Sequence, residues 1–279
     1  MLITRFDPWK SGMCTCPPKH SLNPYTGCSH GCLYCYISSY IKDPFRSRPK
    51  KNAIREVERE VKMSGEGIRF ISLSNSSDPY PPEERILGIT RDVLRILDQH
   101  GIGFQIVTKS DLVARDLDLM GKNVVSMTVT AKDTRRIEPG APSSEKRIEA
   151  LKALSDGGIR CTLRLDPVIP GINDSYESVC WVIHHAGDHV EHVTSSTLKP
   201  RSDSLTRLER SFPQIGWRGM YTDRKGGSYY LPEDTRLGLM LKVREACDES
   251  GLTFSCCREG FDINTGISCD GSHLLGDAI

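Results

Sequence analysis

Nothing in this 279-residue chain reads as a membrane span: no apolar run approaches the ~20 residues that a bilayer requires. The N-terminus lacks the basic-then-apolar pattern of a signal peptide, so export is not expected. No charge sign dominates either. Lys and Arg number 37 against 36 Asp and Glu, a formal net charge of +1, which excludes a whole-molecule field that would draw in a polyanion. Internal repeats, low-complexity tracts and a composition break between domains are also missing. Cysteine, by contrast, is plentiful. Eleven is an odd count, below the density of a disulfide scaffold and without an export signal. The expectation is a protein of the reducing cytoplasm, long enough to bury one large core and in the size range of an α/β barrel.

Three thiols are concentrated in one short loop, Asn23-Pro24-Tyr25-Thr26-Gly27-Cys28-Ser29-His30-Gly31-Cys32-Leu33-Tyr34-Cys35-Tyr36. The spacing is C-x3-C-x2-C with an aromatic before the last cysteine. Such a triad can hold three corners of a [4Fe–4S] cube and leave the fourth iron without a protein ligand. An open iron can chelate the amino and carboxylate groups of S-adenosylmethionine and pass an electron to its sulfonium. Cleavage then yields a 5′-deoxyadenosyl radical, chemistry that belongs to the cofactor while the protein orients it. A structural zinc site is the alternative, but zinc takes four closed ligands and this loop offers three.

The loop resembles that of the radical S-adenosylmethionine superfamily, and its wording resembles the spore photoproduct lyase-like branch, whose members are often described as DNA repair photolyases. The similarity continues, in order, through Ser77-Asp78-Pro79-Tyr80, Ile106-Val107-Thr108-Lys109, Ile137-Glu138-Pro139-Gly140 and Asp166-Pro167-Val168-Ile169-Pro170-Gly171. It implies a partial (β/α)6 TIM-type barrel, a [4Fe–4S] cluster, S-adenosylmethionine, and a reductant such as ferredoxin or flavodoxin. The expected division is an N-terminal strap over 1–20, the barrel over 21–215 and a C-terminal α/β extension over 216–279.

Local patterns agree with an α/β order. Strands are expected at 68–75, 103–108, 123–130, 159–165, 190–197 and 252–257. A helix should place Ile86, Ile89, Val93 and Leu97 on one face, and a short helix should cover 110–120. Another should turn Ile148, Leu151 and Leu154 inward and stop at Gly157-Gly158. Asp174-x-x-Glu177 reads as a capping box opening a helix over 175–187, and the extension should carry a helix near 232–249. Strand-then-helix repetition implies a parallel sheet with right-handed crossovers.

Parallel barrels keep their chemistry at the strand C-termini. The superfamily's usual Gly-Gly-Glu run is absent, and in the resembling branch a Ser-Asp pair, here Ser77 and Asp78, meets the cofactor's amino group. An Asx turn or helix cap is the other role open to Asp78. The resemblance also sets Lys109 against the cofactor's carboxylate or ribose and Thr128 near the ribose. Tyr34 and Tyr36 flank the cluster, where tyrosines can shuttle a hydrogen atom. Arg164 shares its strand face with Thr162 and Asp166 and either grips an anion bidentately or pairs at the rim. One departure separates this chain from the lyase reaction. The hydrogen-donating cysteine expected three residues before the Asp is Asn75, so that reaction is not transferred, and buried Cys161 is a poor substitute.

The remaining thiols cluster at the two ends: Cys14 and Cys16 in one, Cys256, Cys257 and Cys269 in the other. Cys14, Cys16, Cys257 and Cys269 are candidate ligands of a second centre, [4Fe–4S] or zinc, or else are free thiols in a reducing cell. Cys256 should face the core, with Cys180 and Cys247 packed in helices. Evidence for a substrate is limited to basic residues. Residues 42–51 carry five basic side chains against one acid beside Tyr40 and Phe45, which makes either a phosphate-tracking edge or a solvated loop. Arg201, Arg207 and Arg210 can extend it, diluted by Asp203 and Glu209. Radical chemistry on a nucleic acid and radical modification of a peptide or cofactor precursor both stay open.

Overall fold

Apolar strands alternating with amphipathic helices wind one sheet into most of a barrel. The computed structural model describes residues 1–6 and 12–278, so residues 7–11 of the expected strap lie outside the described residues. Eight strands are neighbours in chain order: β1 (Ile3–Arg5), β2 (His20–Leu22), β3 (Phe70–Leu73), β4 (Gly103–Thr108), β5 (Val124–Thr128), β6 (Arg160–Val168), β7 (His192–Thr197) and β8 (Thr253–Cys256). Strands β2 to β8 run parallel and β1 is antiparallel at the edge. This is the partial TIM-type barrel that the strand–helix order implied. The strap and the extension each add to the same sheet, through β1–β2 at one edge and β8 at the other.

The two faces of the sheet are chemically different. Leu22, Leu73, Ile106, Met127, Leu163, Val193 and Phe254 are fully buried and join one hydrophobic core. Helices Ala53–Ser64, Ile89–Gln99, Ser144–Asp156, Tyr176–Ala186 and Glu233–Glu249 contribute their buried apolar residues to that core. The alternate residues face the barrel axis. They are small or polar: Ser21, Ser72, Gln105, Ser126, Thr162, Thr194 and Ser255, all buried. Barrel interiors are ordinarily filled by bulky branched side chains. Here the polar lumen is filled by the chain's own C-terminal tail. Ser255 Oγ donates to Ser268 O at 3.4 Å, Thr194 Oγ1 to Cys269 O at 3.0 Å, and Gln105 Nε2 to Asp270 O at 2.6 Å. Asp270 also pairs with Lys19, both side chains almost fully buried.

Two local expectations are corrected. Ile86 does not share a face with Val93 and Leu97. Glu84 is drawn inside, where its carboxylate accepts from Thr90 N at 2.9 Å and pairs with Arg115 at 2.9 Å. That isolates a short turn, Glu84–Leu87, from the helix that starts after Gly88, and leaves Ile86 90% exposed. The helix near 175 is capped by Ser175, which accepts from Ser178 N at 3.1 Å, while Asp174 accepts from Gly171 N. The short helix expected over 110–120 is present as a 3-10 helix, Asp111–Leu119.

Candidate active site

One cavity of about 900 Å³ opens at the C-terminal ends of the strands, and Cys28, Cys32 and Cys35 line it. The cysteine loop has little regular structure of its own, so its shape comes from what it touches. Leu33 N donates to Ile137 O and Gly140 N to His30 O, both at 2.9 Å. A side chain at residue 140 would put a Cβ 2.2 Å from Ser29 O, which explains a glycine in Ile137-Glu138-Pro139-Gly140. On the other flank Arg207 donates to Leu33 O at 3.0 Å and to Cys35 O at 2.8 Å. Arg207 thus holds the loop rather than extending a basic surface. Arg48 is similarly committed, to the carbonyls of Lys42, Asp43 and Arg46.

Below the loop lies a buried charge network that sequence reading passed over. Glu138 is ion-paired with Arg147 at 2.5 Å, both side chains fully buried. It also accepts from the Tyr34 hydroxyl and from Thr130 Oγ1. Arg147 reaches the carbonyls of Pro142 at 2.9 Å and Thr128 at 3.0 Å. Burial opposes the Glu138 charge, yet Arg147 and Lys109 hold its carboxyl below the usual range. The Lys109 ammonium lies 5.6 Å over the Tyr34 ring. Burial disfavours its charge, but Glu138 and the Cys32 sulfur outweigh that and keep its pKa raised. An i,i+9 Glu–Arg pair across a turn has no periodic signature, and only the glycine-bearing motif hinted at it.

The expected cofactor residues gather around the same cavity: Tyr34, Tyr36, Ser77, Asp78, Lys109, Thr128 and Arg164 all line it. Asp78 accepts from Tyr80 N at 2.9 Å in an Asx turn, and also from Thr108 Oγ1 at 2.7 Å and Lys109 N at 2.8 Å. It ties two strand ends together while fronting the cavity. Among the described residues the buried Ser77 and Ser74 hydroxyls have no partner, which is costly unless a ligand supplies one. Arg164 pairs with Asp166 at 2.6 Å, and Asp166 in turn accepts from Ser196. The Tyr36 hydroxyl donates to Asn75 O. Burial, aided by the Asp78 carboxylate, pushes the Cys28 thiol up to about 12. Cationic iron relieves that penalty when it takes a thiolate. Three loop thiols, partnerless hydroxyls and a facing lysine therefore fit a cluster with S-adenosylmethionine.

The thiols of the two chain ends also meet at this cavity. Cys14, Cys16 and Cys257 line it as well, and Cys16 Sγ is 3.3 Å from Cys269 Sγ. Cys14 and Cys16 are hydrogen-bond neighbours, and Cys257 lies within electrostatic reach of both Cys16 and Cys269. Among the described residues no three His, Cys, Asp or Glu side chains are close enough to hold a metal ion as they stand. That applies equally to the loop triad, whose thiolates would each bind a different iron of a cube. Cys161, Cys247 and Cys256 are buried in the core as expected. No helix among the described residues is long and apolar enough to cross a membrane.

Comparison with known proteins assigns the class. The Radical SAM superfamily model matches residues 22–180, and the chain belongs to that superfamily: it is an iron–sulfur, S-adenosylmethionine-binding enzyme. An uncharacterized protein of Methanocaldococcus jannaschii is 34% identical over 168 residues, 56% of this chain and 62% of that protein, so the match spans under two thirds of its length. A Radical SAM Nalpha-GlyT isomerase of Pseudomonas phage M6 is 23% identical over 259 residues, 85% of this chain and 53% of that protein. Among solved structures, a spore photoproduct lyase variant with AdoMet and dinucleoside spore photoproduct superposes with a TM-score of 0.65 at 16% identity, covering 87% of this chain and 77% of the lyase. Streptococcus suis SuiB bound to precursor peptide SuiA gives 0.58 at 13% identity, covering 85% and 48%. At these identities the superpositions establish the barrel alone.

Proposed function

We propose that the enzyme abstracts hydrogen from a nucleic acid. The observation that carries this reading is the cavity lining, where Arg201, Lys225 and Arg258 occur together with Tyr36, Tyr40 and Tyr230. Cations that meet phosphates, beside aromatic faces that stack on bases, form a sequence-tolerant nucleic-acid surface. A lyase structure with a dinucleoside photoproduct on the same fold supports the substrate class. The lyase's own reaction is not assigned, because Asn75 is tied to Ser21 and Ser72 and has no thiol to give.

In this reading Cys28, Cys32 and Cys35 hold three irons of a cube. When bound, the cluster and S-adenosylmethionine supply a 5′-deoxyadenosyl radical at the cavity, given a one-electron donor of the ferredoxin or flavodoxin kind. Ser77 and Asp78 bind the cofactor's ammonium, Lys109 its carboxylate or ribose, and Thr128 the ribose. Tyr34 is fixed by Glu138 beneath the cluster. Tyr36 faces the substrate and is the candidate to relay a hydrogen atom. Arg164 lines the cavity while paired with Asp166. Cys14, Cys16, Cys257 and Cys269 hold a second metal centre. That centre favours a second reading, radical modification of a peptide, the kind of ligand SuiB holds.

Anaerobically reconstituted and reduced enzyme should release 5′-deoxyadenosine from S-adenosylmethionine faster with a DNA or RNA oligonucleotide present. Its retention on the oligonucleotide should weaken steeply with salt. Stimulation by peptides and none by oligonucleotides would overturn the nucleic-acid assignment. Asp78→Asn should lower cofactor affinity by roughly one to two decades, the loss of a charge-assisted contact of about 1.5–3 kcal/mol. Unchanged affinity would leave Asp78 a purely structural tie between strand ends.

A further inference from the structure

Building on the second centre proposed above, we infer that Cys14, Cys16, Cys257 and Cys269 hold a closed iron–sulfur cluster on the cavity floor that fastens both ends of the chain inside the barrel. The lumen is built to receive the tail. Three inward side chains from three strands donate to three consecutive tail carbonyls, Ser268 O, Cys269 O and Asp270 O. Gly271 packs against Thr162 and His192 at the barrel's lower end. This threading fixes Cys269, which is 5% exposed, and aims its sulfur at Cys16. The opposite anchor is Lys19, three residues beyond Cys16, paired with Asp270, one residue beyond Cys269. Cys257 follows β8 directly and is held by its backbone N–H to Ser195 O at 2.7 Å. Three separate segments thus bring four thiols together, each segment fixed by bonds that do not involve sulfur.

The surroundings suit an anionic, thiolate-rich group. Lys19 is within electrostatic reach of Cys16 and Cys269, Arg164 of Cys16 and Cys257, and Lys199 of Cys257, with Lys19 also paired to Asp270 and Arg164 to Asp166. Zinc knuckles typically leave two to four intervening residues between paired ligands. The C-x-C pair and the widely separated Cys257 and Cys269 depart from that pattern. With four protein ligands the cluster has no open iron, so its part is to lock the tail and close the floor of the cavity. Because unfolded thiols bind such a group poorly, its ligation free energy becomes stability of the docked tail.

The test uses the full chain carrying Cys28→Ala, Cys32→Ala and Cys35→Ala, reconstituted anaerobically with ferrous iron and sulfide. It should bind about four irons and about four sulfides with a cluster absorption spectrum. Adding Cys269→Ser should remove that absorption and speed proteolysis beyond residue 257. A folded triple variant that takes up no iron, one that purifies with zinc at these thiols, or retention of the full cluster with Cys269→Ser would overturn the inference. Should the triple variant fail to fold, thiol alkylation of the unmutated holoenzyme decides. The four end thiols should be protected until the iron is chelated, and equal labelling before and after overturns the inference. Unmutated protein that loads only about four irons yet releases 5′-deoxyadenosine sinks the second centre and leaves the radical reading. About eight irons without cofactor cleavage does the reverse.

Discussion

The cysteine loop and the barrel floor gather thiols in opposite ways. In the loop, three sulfurs come from eight consecutive residues, and the rest of the protein only has to press that segment into shape through Ile137, Gly140 and Arg207. On the floor, four sulfurs come from both ends of the chain and meet because a tail threads a polar lumen. The first arrangement is written in spacing and tolerates change elsewhere. The second has no spacing to read and depends on every bond that docks the tail. Local encoding makes the loop a site defined by its own residues, whereas the centre proposed on the floor would be defined by the fold.

The sharpest way to separate the two is Cys32→Ala. It should abolish 5′-deoxyadenosine formation in a reconstituted assay, because losing one corner of the cube removes the radical generator. Iron at the floor thiols should persist in the same sample. Turnover at the unmutated rate would show that the loop does not hold the working cluster.

Glu138→Gln comes next, since it keeps the shape but leaves Arg147 charged and buried. Removing one partner of such a pair typically costs about 3–5 kcal/mol, read here by denaturant unfolding. Its pH dependence follows from sign. The folded Glu138 carboxyl is held below its usual range, so its contribution is complete above the unfolded value, ~4.3. It declines as pH falls from there through the lowered folded value. The stability gap between unmutated protein and Glu138→Gln should therefore be constant from pH 7 to about 5 and narrow in stronger acid. A gap that widened in acid would contradict the network described here.

A smaller loss is expected for Gly140→Ala. Its Cβ would meet Ser29 O at 2.2 Å, so the cysteine loop must shift, at about 1–3 kcal/mol for a steric intrusion of this kind. Cofactor cleavage should fall more than global stability, because the displaced segment carries the cluster. Ile86→Ser lies at the other extreme. With Ile86 90% exposed, thermal unfolding should show a change within about 0.5 kcal/mol. A large destabilisation would restore the helix face expected from periodicity.

Sequence alone determined the class of this protein. C-x3-C-x2-C chemistry is a property of ligand count and spacing within one loop, and the strands and most helices follow from alternation and from the 3.6-residue period. It also named the end thiols, because unpaired cysteines outside any apolar pattern stand out. It misjudged Ile86, because a buried Glu84 that caps the following helix overrides a weak periodic signal. It left Arg207 open to extending a basic surface, whereas the structure commits it to the cysteine loop. The tertiary structure alone decided that Glu138 and Arg147 support the cluster loop, that Ser255, Thr194 and Gln105 receive the tail, and that Lys19 meets Asp270 across the whole length of the chain. The physical reason is common to all three. Buried polar groups must find partners, and the partner that satisfies them is set by how the chain packs, at distances along the sequence that no local pattern records.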